Sequence, residues 1–438
     1  MKMGIMPCPL ACHTDNESQS SNSSHHYHLS ESSSLSSQPS LPSLPSLNPQ
    51  GSLQHHHHHA TTTTATYHCI STLKGHSSHV FSLALAGKFL YSGSSGREIR
   101  AWHRHPPIII PSSNPNPSSS FISTHNNQNV VAVGKGAVKS LVISGDKLFS
   151  AHQDHKIRVW TIDNNIDDHM YKRLATLPTL TDRVLRFLPP KNHIQVRRHK
   201  KCTWVHHIDT ISALALSRDA SLLYSVSWDR TIKVWRTSDF KCLESIANAH
   251  DDAINALALS NDGYIYTGSA DTKIKVWRKL NGDRSHSLVA TLEKHKSAVN
   301  ALALTTDGSV LYSGACDRSI VVWEKDSAAS TGGEGGHMVV VGALRGHTKA
   351  ILCLSVVLDL LCSGSADKTI RIWRRGIENS YSCLGVLEGH GGPVKCLTAA
   401  IDGRDLMNKS SEDTTSYLVY SGSLDCHIRV WQILVPIQ

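Results

Sequence analysis

Again and again along this 438-residue chain a hydroxyl, a histidine and an aspartate recur at matched spacing. These are the three side chains of a nucleophilic hydrolase. The histidines are His76, His207, His250, His295, His347 and His390, and the aspartates are Asp154, Asp229, Asp271, Asp317, Asp367 and Asp425. The hydroxyls are Ser92, Ser150, Ser225, Thr267, Ser313, Ser363 and Ser421. Fully developed sets are His250, Thr267 and Asp271 before Trp277, and His347, Ser363 and Asp367 before Trp373. Catalysis needs one activated nucleophile beside one oxyanion site, so a constellation copied this often is structural. Aspartate in a tight turn accepts bonds from the turn's own N–H groups. The imidazole then bridges carboxylate and hydroxyl, and a buried indole N–H also needs an acceptor. Such a network pins a corner of the fold. No other titratable cluster and no phosphate-cradling glycine loop stands out, so no enzyme and no cofactor are expected.

A second chemistry lies in an insertion at about residues 178–206. It carries Arg183, Arg186, Lys191, Arg197, Arg198, Lys200 and Lys201. Its first part predicts a short helix with an N-cap at Thr181, an apolar face from Val184, Leu185 and Leu188, and a stop at Pro189-Pro190. Arginine forks suit carboxylate and phosphate, so one reading is a dock for an acidic or phosphorylated protein. Contact with nucleic acid and a solvated connector are the other two. Trp228 and Arg230, in a turn of the next repeat, suit an interaction hot spot or a packing surface for the inserted helix.

The elements that position these groups are legible from seven tryptophans: Trp102, Trp160, Trp235, Trp277, Trp323, Trp373 and Trp431. Each closes a repeat whose period-two apolar runs, such as Ile254 to Leu259, read as half-buried strands. A basic period of about 40–45 residues with four short strands marks a propeller blade. The expected fold is all-β: a seven-bladed propeller over residues 67–438, behind a disordered Ser/Pro/His-rich tail over residues 1–66. The last blade lacks room for an outer strand, so Tyr67 to Leu73 is expected to complete it and hide its edge. Gly96 stands where an aspartate belongs and Gly134 where a histidine belongs, so those two corners should be loose. Longer insertions fall at His103 to Gln128, Asp326 to Gly336 and Asp402 to Ser416.

This pattern resembles the WD40 family over about residues 67–438, with Gly-His pairs at Gly75-His76, Gly346-His347 and Gly389-His390. The name-giving Trp-Asp never follows a closing tryptophan, and its one literal occurrence, Trp228-Asp229, sits in a turn. The segment Leu177 to Trp204, with Phe187-Leu188-Pro189-Pro190-Lys191-Asn192 and Gln195-Val196-Arg197-Arg198-His199-Lys200-Lys201, is similar to the plant WD40 subfamily typified by the protein called JINGUBANG. The resemblance implies a non-enzymatic scaffold in plant regulation, a negative regulator of pollen germination and tube growth whose partner is a transcription regulator. Two alternatives are a substrate receptor of a cullin-type ubiquitin ligase and an RNA-binding propeller. The ligase class carries Trp-Asp-x-Arg where this chain has Trp323-Glu324-Lys325-Asp326.

Composition bounds the rest. A net charge of +9 and a pI near 9.0 favour acidic partners. Eleven scattered cysteines without Cys-x-x-Cys spacing fit a reducing compartment and argue against zinc. The run His55 to His59 could hold a metal only weakly. No apolar run approaches the roughly 20 residues of a membrane span, and the first residues lack the core of a secretory signal. Cytoplasm or nucleus and a monomeric state are expected.

Overall fold

The computed structural model describes residues 44–48, 65–104, 129–162, 171–187, 193–197, 200–280, 282–326, 338–376, 380–403 and 414–437. Contacts separate Met1–Pro45 from Ser46–Gln438, and every sheet belongs to the second unit. The chain enters through β1 (Thr66–Leu73). Blade 1 is β2 (Val80–Ala86), β3 (Phe89–Ser94), β4 (Glu98–His103) and β5 (Val130–Val133). Blade 2 is β6 (Val138–Ser144), β7 (Lys147–His152), β8 (Ile157–Thr161) and β9 (Arg173–Leu177). The insertion follows as α1 (Leu180–Phe187), β10 (His193–Arg197) and β11 (Lys200–Thr203). Blade 3 is β12 (Ile211–Leu216), β13 (Leu222–Ser227), β14 (Ile232–Arg236) and β15 (Cys242–Ile246). Blade 4 is β16 (Ile254–Leu259), β17 (Ile265–Ser269), β18 (Lys273–Arg278) and β19 (Ser287–Glu293). Blade 5 is β20 (Val299–Leu304), β21 (Val310–Ala315), β22 (Ile320–Lys325) and β23 (Met338–Leu344). Blade 6 is β24 (Ile351–Val357), β25 (Leu360–Ser365), β26 (Ile370–Arg375) and β27 (Tyr381–Leu387). Blade 7 supplies β28 (Val394–Ile401), β29 (Thr414–Ser423) and β30 (Ile428–Pro436).

β1 pairs antiparallel with β30 from Thr66 opposite Leu434 to Leu73 opposite Ile428, giving the last sheet the order β1-β30-β29-β28. Ring closure therefore joins the two ends of the propeller and covers an edge that would otherwise template aggregation. The innermost strands β2, β6, β12, β16, β20, β24 and β28 each touch the next, and β28 touches β2.

The core lies between sheets, because each strand alternates its apolar residues toward a neighbouring blade. Phe149, Ile157 and Val159 of blade 2 pack on Ile211, Leu214, Leu223 and Trp235 of blade 3. Val80 and Leu90 of blade 1 meet Tyr420, Ile428 and Val430 of blade 7. The sheets approach so closely that a Cβ on Gly93 would stand 2.5 Å from Val138, and one on Gly314 would stand 2.4 Å from Ile351. Glycine at that strand position is what lets a β-branched side chain of the next blade seat. Cys353, Cys362 and Cys396 are buried in strands, and burial pushes the Cys353 and Cys362 thiols up to about 12. They act as small apolar groups.

The expectation of a tail without packed structure up to residue 66 is corrected at Ser46 to Asn48, which bond to blades 5 and 6. The insertions expected at 103–128, 326–336 and 402–416 fall largely outside the described residues, as does His55 to His59.

Candidate functional site

Blades 3 to 7 each hold a four-part chain of hydrogen bonds. In blade 6 the Trp373 indole N–H donates to Ser363 Oγ at 2.9 Å, His347 Nε2 meets that Oγ at 2.9 Å, and His347 Nδ1 meets Asp367 Oδ2 at 2.8 Å. Asp367 also accepts from the amides of Thr348 and Thr369. In blade 4 the distances are 3.0 Å from Trp277 to Thr267, 2.8 Å from His250 to Thr267, and 2.8 Å from His250 to Asp271. The hydroxyls are fully buried and accept an indole N–H, so none of these seven faces solvent. Burial opposes ionisation of Asp271 and Asp317, yet the bonds from His250 and His295 hold both carboxyls down to about 2. Burial holds His207 and His390 below the usual imidazole range.

The two irregular corners, expected to be loose, are bonded in different ways, blade 2 with a substitute histidine and blade 1 with only part of the network. In blade 2 the histidine comes from β7: His152 Nε2 bonds Ser150 Oγ at 2.8 Å and its Nδ1 bonds Gly136 O at 3.0 Å. Trp160 donates to the same Ser150 at 2.8 Å. Its ring fills the space a side chain at residue 134 would take, since a Cβ on Gly134 would lie 2.4 Å from His152 Cε1. In blade 1 the Gly96 amide donates to Ser78 Oγ at 2.7 Å. His76 still bonds Ser92 at 2.7 Å, but its Nδ1 has no hydrogen-bond partner, with Glu98 3.8 Å away. Burial, then the Arg100 guanidinium, pushes His76 down to about 3.

The rebuilding of blade 2 frees Asp154 from histidine, and the carboxylate grips Arg158 through both oxygens. Arg158 belongs to a cleft of about 550 Å³ at the exit of blade 2, lined by Lys135, Lys156, Arg158, Arg173 and Arg183 with Leu174, Pro178 and Leu180. The described residues that line it include five cations and no carboxylate, and Asp154, bonded to Arg158, neutralises one of the five. Burial and the nearby Arg183 hold the Lys156 ammonium below its usual value. Burial, followed by Arg183, pushes His206 at the start of blade 3 down to about 4. Like charges crowded in this way favour a bound anion.

α1 shapes one wall. Thr179 caps it, accepting the Asp182 amide on its hydroxyl at 3.2 Å and the Arg183 amide on its carbonyl at 3.1 Å. The cap therefore lies two residues before the expected Thr181. The apolar face expected from Val184 is corrected as well. Val184 is 64% exposed and Leu180 76%, while Asp182 is buried and accepts the Cys242 amide of β15 at 3.0 Å. A buried strand-end N–H needs an acceptor, which seats Asp182 inward; of the other residues expected on the apolar face, the Leu185 side chain and Leu188 lie outside what is described. Leu180 and Val184, one turn apart, present an apolar strip beside the cations.

Of the expected contact residues, Arg183 lies in the cleft, its Nε donating to Pro178 O at 3.1 Å. Trp228 is half-buried beside Lys139 of β6, whose ammonium stands 5.4 Å from the indole and 4.1 Å from the Phe81 ring. Arg230 is exposed, in the left-handed turn conformation at φ 67°. Lys191 and Arg198 lie outside the described residues, and for Arg186, Arg197, Lys200 and Lys201 the backbone alone is described. The basic run forms a β10–β11 hairpin, with Gln195 opposite Lys201. Sequence reasoning passed over Lys135, Arg158 and Arg173. A signal existed: a cation stands two residues before Trp102, Trp160, Trp235, Trp277, Trp373 and Trp431.

Residues 67–103, 199–236, 240–278, 286–324, 338–374 and 381–432 match the WD domain, G-beta repeat. The matched segments leave out blade 2, whose corner histidine comes from β7. An uncharacterized WD repeat-containing protein of Schizosaccharomyces pombe is 26% identical over 238 residues, 48% of this chain and 62% of that protein. The zinc finger CCCH domain-containing protein 62 of Arabidopsis thaliana is 27% identical over 181 residues, 41% of this chain and 39% of that one. The nuclear distribution protein PAC1 of Candida glabrata is 26% identical over 235 residues, 48% and 49% respectively. The match thus spans less than two thirds of each relative. Among the described residues no helix is long and apolar enough to cross a membrane.

Proposed function

The chain belongs to the WD40 repeat family, and on that footing we propose that it is a non-enzymatic scaffold that holds an acidic or phosphorylated segment of a partner protein in the cleft of blade 2. The carrying observation is the wall of Lys135, Lys156, Arg158, Arg173 and Arg183 beside the exposed strip Leu180 and Val184. Guanidinium forks take carboxylate or phosphate in two-point contacts, and the strip takes apolar side chains of the same segment. The likeness of Leu177 to Trp204 to JINGUBANG-type plant proteins supports a role as a negative regulator of pollen germination and tube growth, acting in cytoplasm and nucleus through a transcription regulator.

The other readings draw less support. Stacking on RNA bases needs aromatic platforms, and the described cleft lining holds none. A ligase adaptor would need the tetrapeptide at Trp323 to be available. Glu324 is instead paired with Arg375 at 2.5 Å and Lys325 with Asp262 at 2.8 Å.

Proximity labelling in plant cells tests the proposal with wild type against Arg173→Glu/Arg183→Glu. Loss of one defined set of proteins, with the thermal midpoint unchanged, is the expected result. Identical labelled sets would refute the cleft as the docking site. A second variant, Arg197, Arg198, Lys200 and Lys201 each to Glu, reports whether the site extends onto the β10–β11 hairpin.

A further inference from the structure

The seam of blades 1 and 2 and the seam of blades 5 and 6 are built alike, and the second contains an extra piece of chain. At the seam of blades 1 and 2, the Tyr171 amide donates directly to Val131 O at 2.9 Å, and the Tyr91 and Tyr171 hydroxyls meet at 3.0 Å. Blades 5 and 6 repeat the tyrosine pair, with Tyr312 and Tyr381 hydroxyls 3.0 Å apart. Val131 precedes Ala132, the partner of Ile99, and Ala343 precedes Leu344, the partner of Ile320. Ile99 and Ile320 each stand three residues before a closing tryptophan, so Ala343 is the counterpart of Val131. Yet the Tyr381 amide does not reach Ala343. It donates to Leu47 O at 3.2 Å, and the Leu47 amide donates to Ala343 O at 3.0 Å. A residue from the N-terminal tail is interposed in the ladder, in a parallel bridge of Ser46 with Ala343.

The interposed segment is read by its side chains as well as its backbone. Leu47 is half-buried against the cluster that holds Val310, Tyr312, Leu344 and Tyr381. Asn48 acts as a surrogate peptide group: its Nδ2 donates to Arg345 O at 2.7 Å, and its Oδ1 accepts the Arg345 amide at 3.0 Å. The tail sequence contains three related triplets, Ser40-Leu41-Pro42, Ser43-Leu44-Pro45 and Ser46-Leu47-Asn48. Only the third ends in a side chain with both a donor and an acceptor. Strand addition supplies affinity, the apolar pocket and the amide pair supply selectivity, and together they set the register.

We propose that the seam of blades 5 and 6 is a peptide-binding groove for a Ser-Leu-Asn segment, and that this chain's own Ser46-Leu47-Asn48 is its resident occupant. Tethering gives that occupant an effective concentration in the millimolar range, so the groove is closed to the same motif on another chain until the tail is released. The seam is remote in sequence from the cleft of blade 2, and its test does not involve partner capture there.

The test uses the full chain, wild type and Leu47→Asp/Asn48→Ala, with a fluorescent peptide of residues 43–50. Hydrogen exchange of the Arg345 and Tyr381 amides should speed at least tenfold in the variant. The peptide, added at up to about 1 mM, should bind the variant at least tenfold more tightly than wild type and restore protection at both amides. A peptide carrying the Leu47→Asp change should not bind. Unchanged exchange at both amides overturns the occupancy. Faster exchange without peptide capture, or equal capture of both peptides, overturns the groove.

Discussion

Gly134→Ala tests whether blade 2 has moved its corner histidine from one strand to another. The Gly134 backbone lies outside the left-handed region, so alanine meets no conformational penalty there and space alone decides the outcome. The new Cβ would stand 2.4 Å from His152 Cε1 and 2.7 Å from its Nδ1. The ring has nowhere to retreat: it is fully buried and bonded at both nitrogens, to Ser150 and to Gly136 O. Each of those bonds contributes about 1 kcal/mol net, and overpacking a filled core costs about 1–3 kcal/mol. With both bonds lost, the expected destabilisation is therefore about 3–5 kcal/mol. Urea unfolding followed by tryptophan fluorescence measures it, once in the wild-type background and once in His152→Ala. With the imidazole removed, the same alanine should cost less than about 0.5 kcal/mol, a coupling of about 2 kcal/mol or more between the two sites. A wild-type penalty below about 0.5 kcal/mol, or the same penalty in both backgrounds, would refute the exchange of histidines.

Other outcomes are expected from the same geometry. Asp367→Ala should cost about 1–3 kcal/mol, because His347 Nδ1 and the amides of Thr348 and Thr369 lose their acceptor; an unchanged melting midpoint would show the corner to be dispensable. Asp182→Ala should leave the Cys242 amide unsatisfied at a cost of about 1–3 kcal/mol and speed hydrogen exchange in α1, and unaltered exchange there would mean that another contact seats the helix. Acidification should weaken the fold before carboxylates titrate. Burial holds His76 at about 3 and His152 at about 4, below the ordinary 6.5, so the unfolded chain binds more protons from pH 6.5 downward. Stability contributed by the buried neutral His152 is therefore lost progressively as pH falls from 6.5 toward 4. The depressed Asp271 and Asp317 add a further loss only as pH falls from about 3.8 toward 2. Urea midpoints that stay level from pH 7 to 4.5 would contradict the histidine part.

What the sequence determined by itself was the repeat. Closing tryptophans, period-two strands and the Ser/Thr, His and Asp spacing were enough for seven blades and for the strand that completes the last one. Those features are local: strand alternation, tight-turn aspartates and indole-to-hydroxyl bonds arise within one blade and therefore recur in chain order. The tertiary structure alone decided what depends on neighbours. His152 replaces a missing histidine because an empty volume beside Ser150 admits an imidazole from either strand. α1 exposes Val184 because the Cys242 amide, 60 residues away, demands Asp182. Lys135, Arg158, Arg173 and Arg183 form one cleft only after β9 is laid against β8. Leu47 enters the ladder at Ala343 only once blades 5 and 6 are packed side by side. Hydrogen-bond demand and volume are settled between segments distant in sequence, and a periodic pattern carries no record of which distant segment answers them.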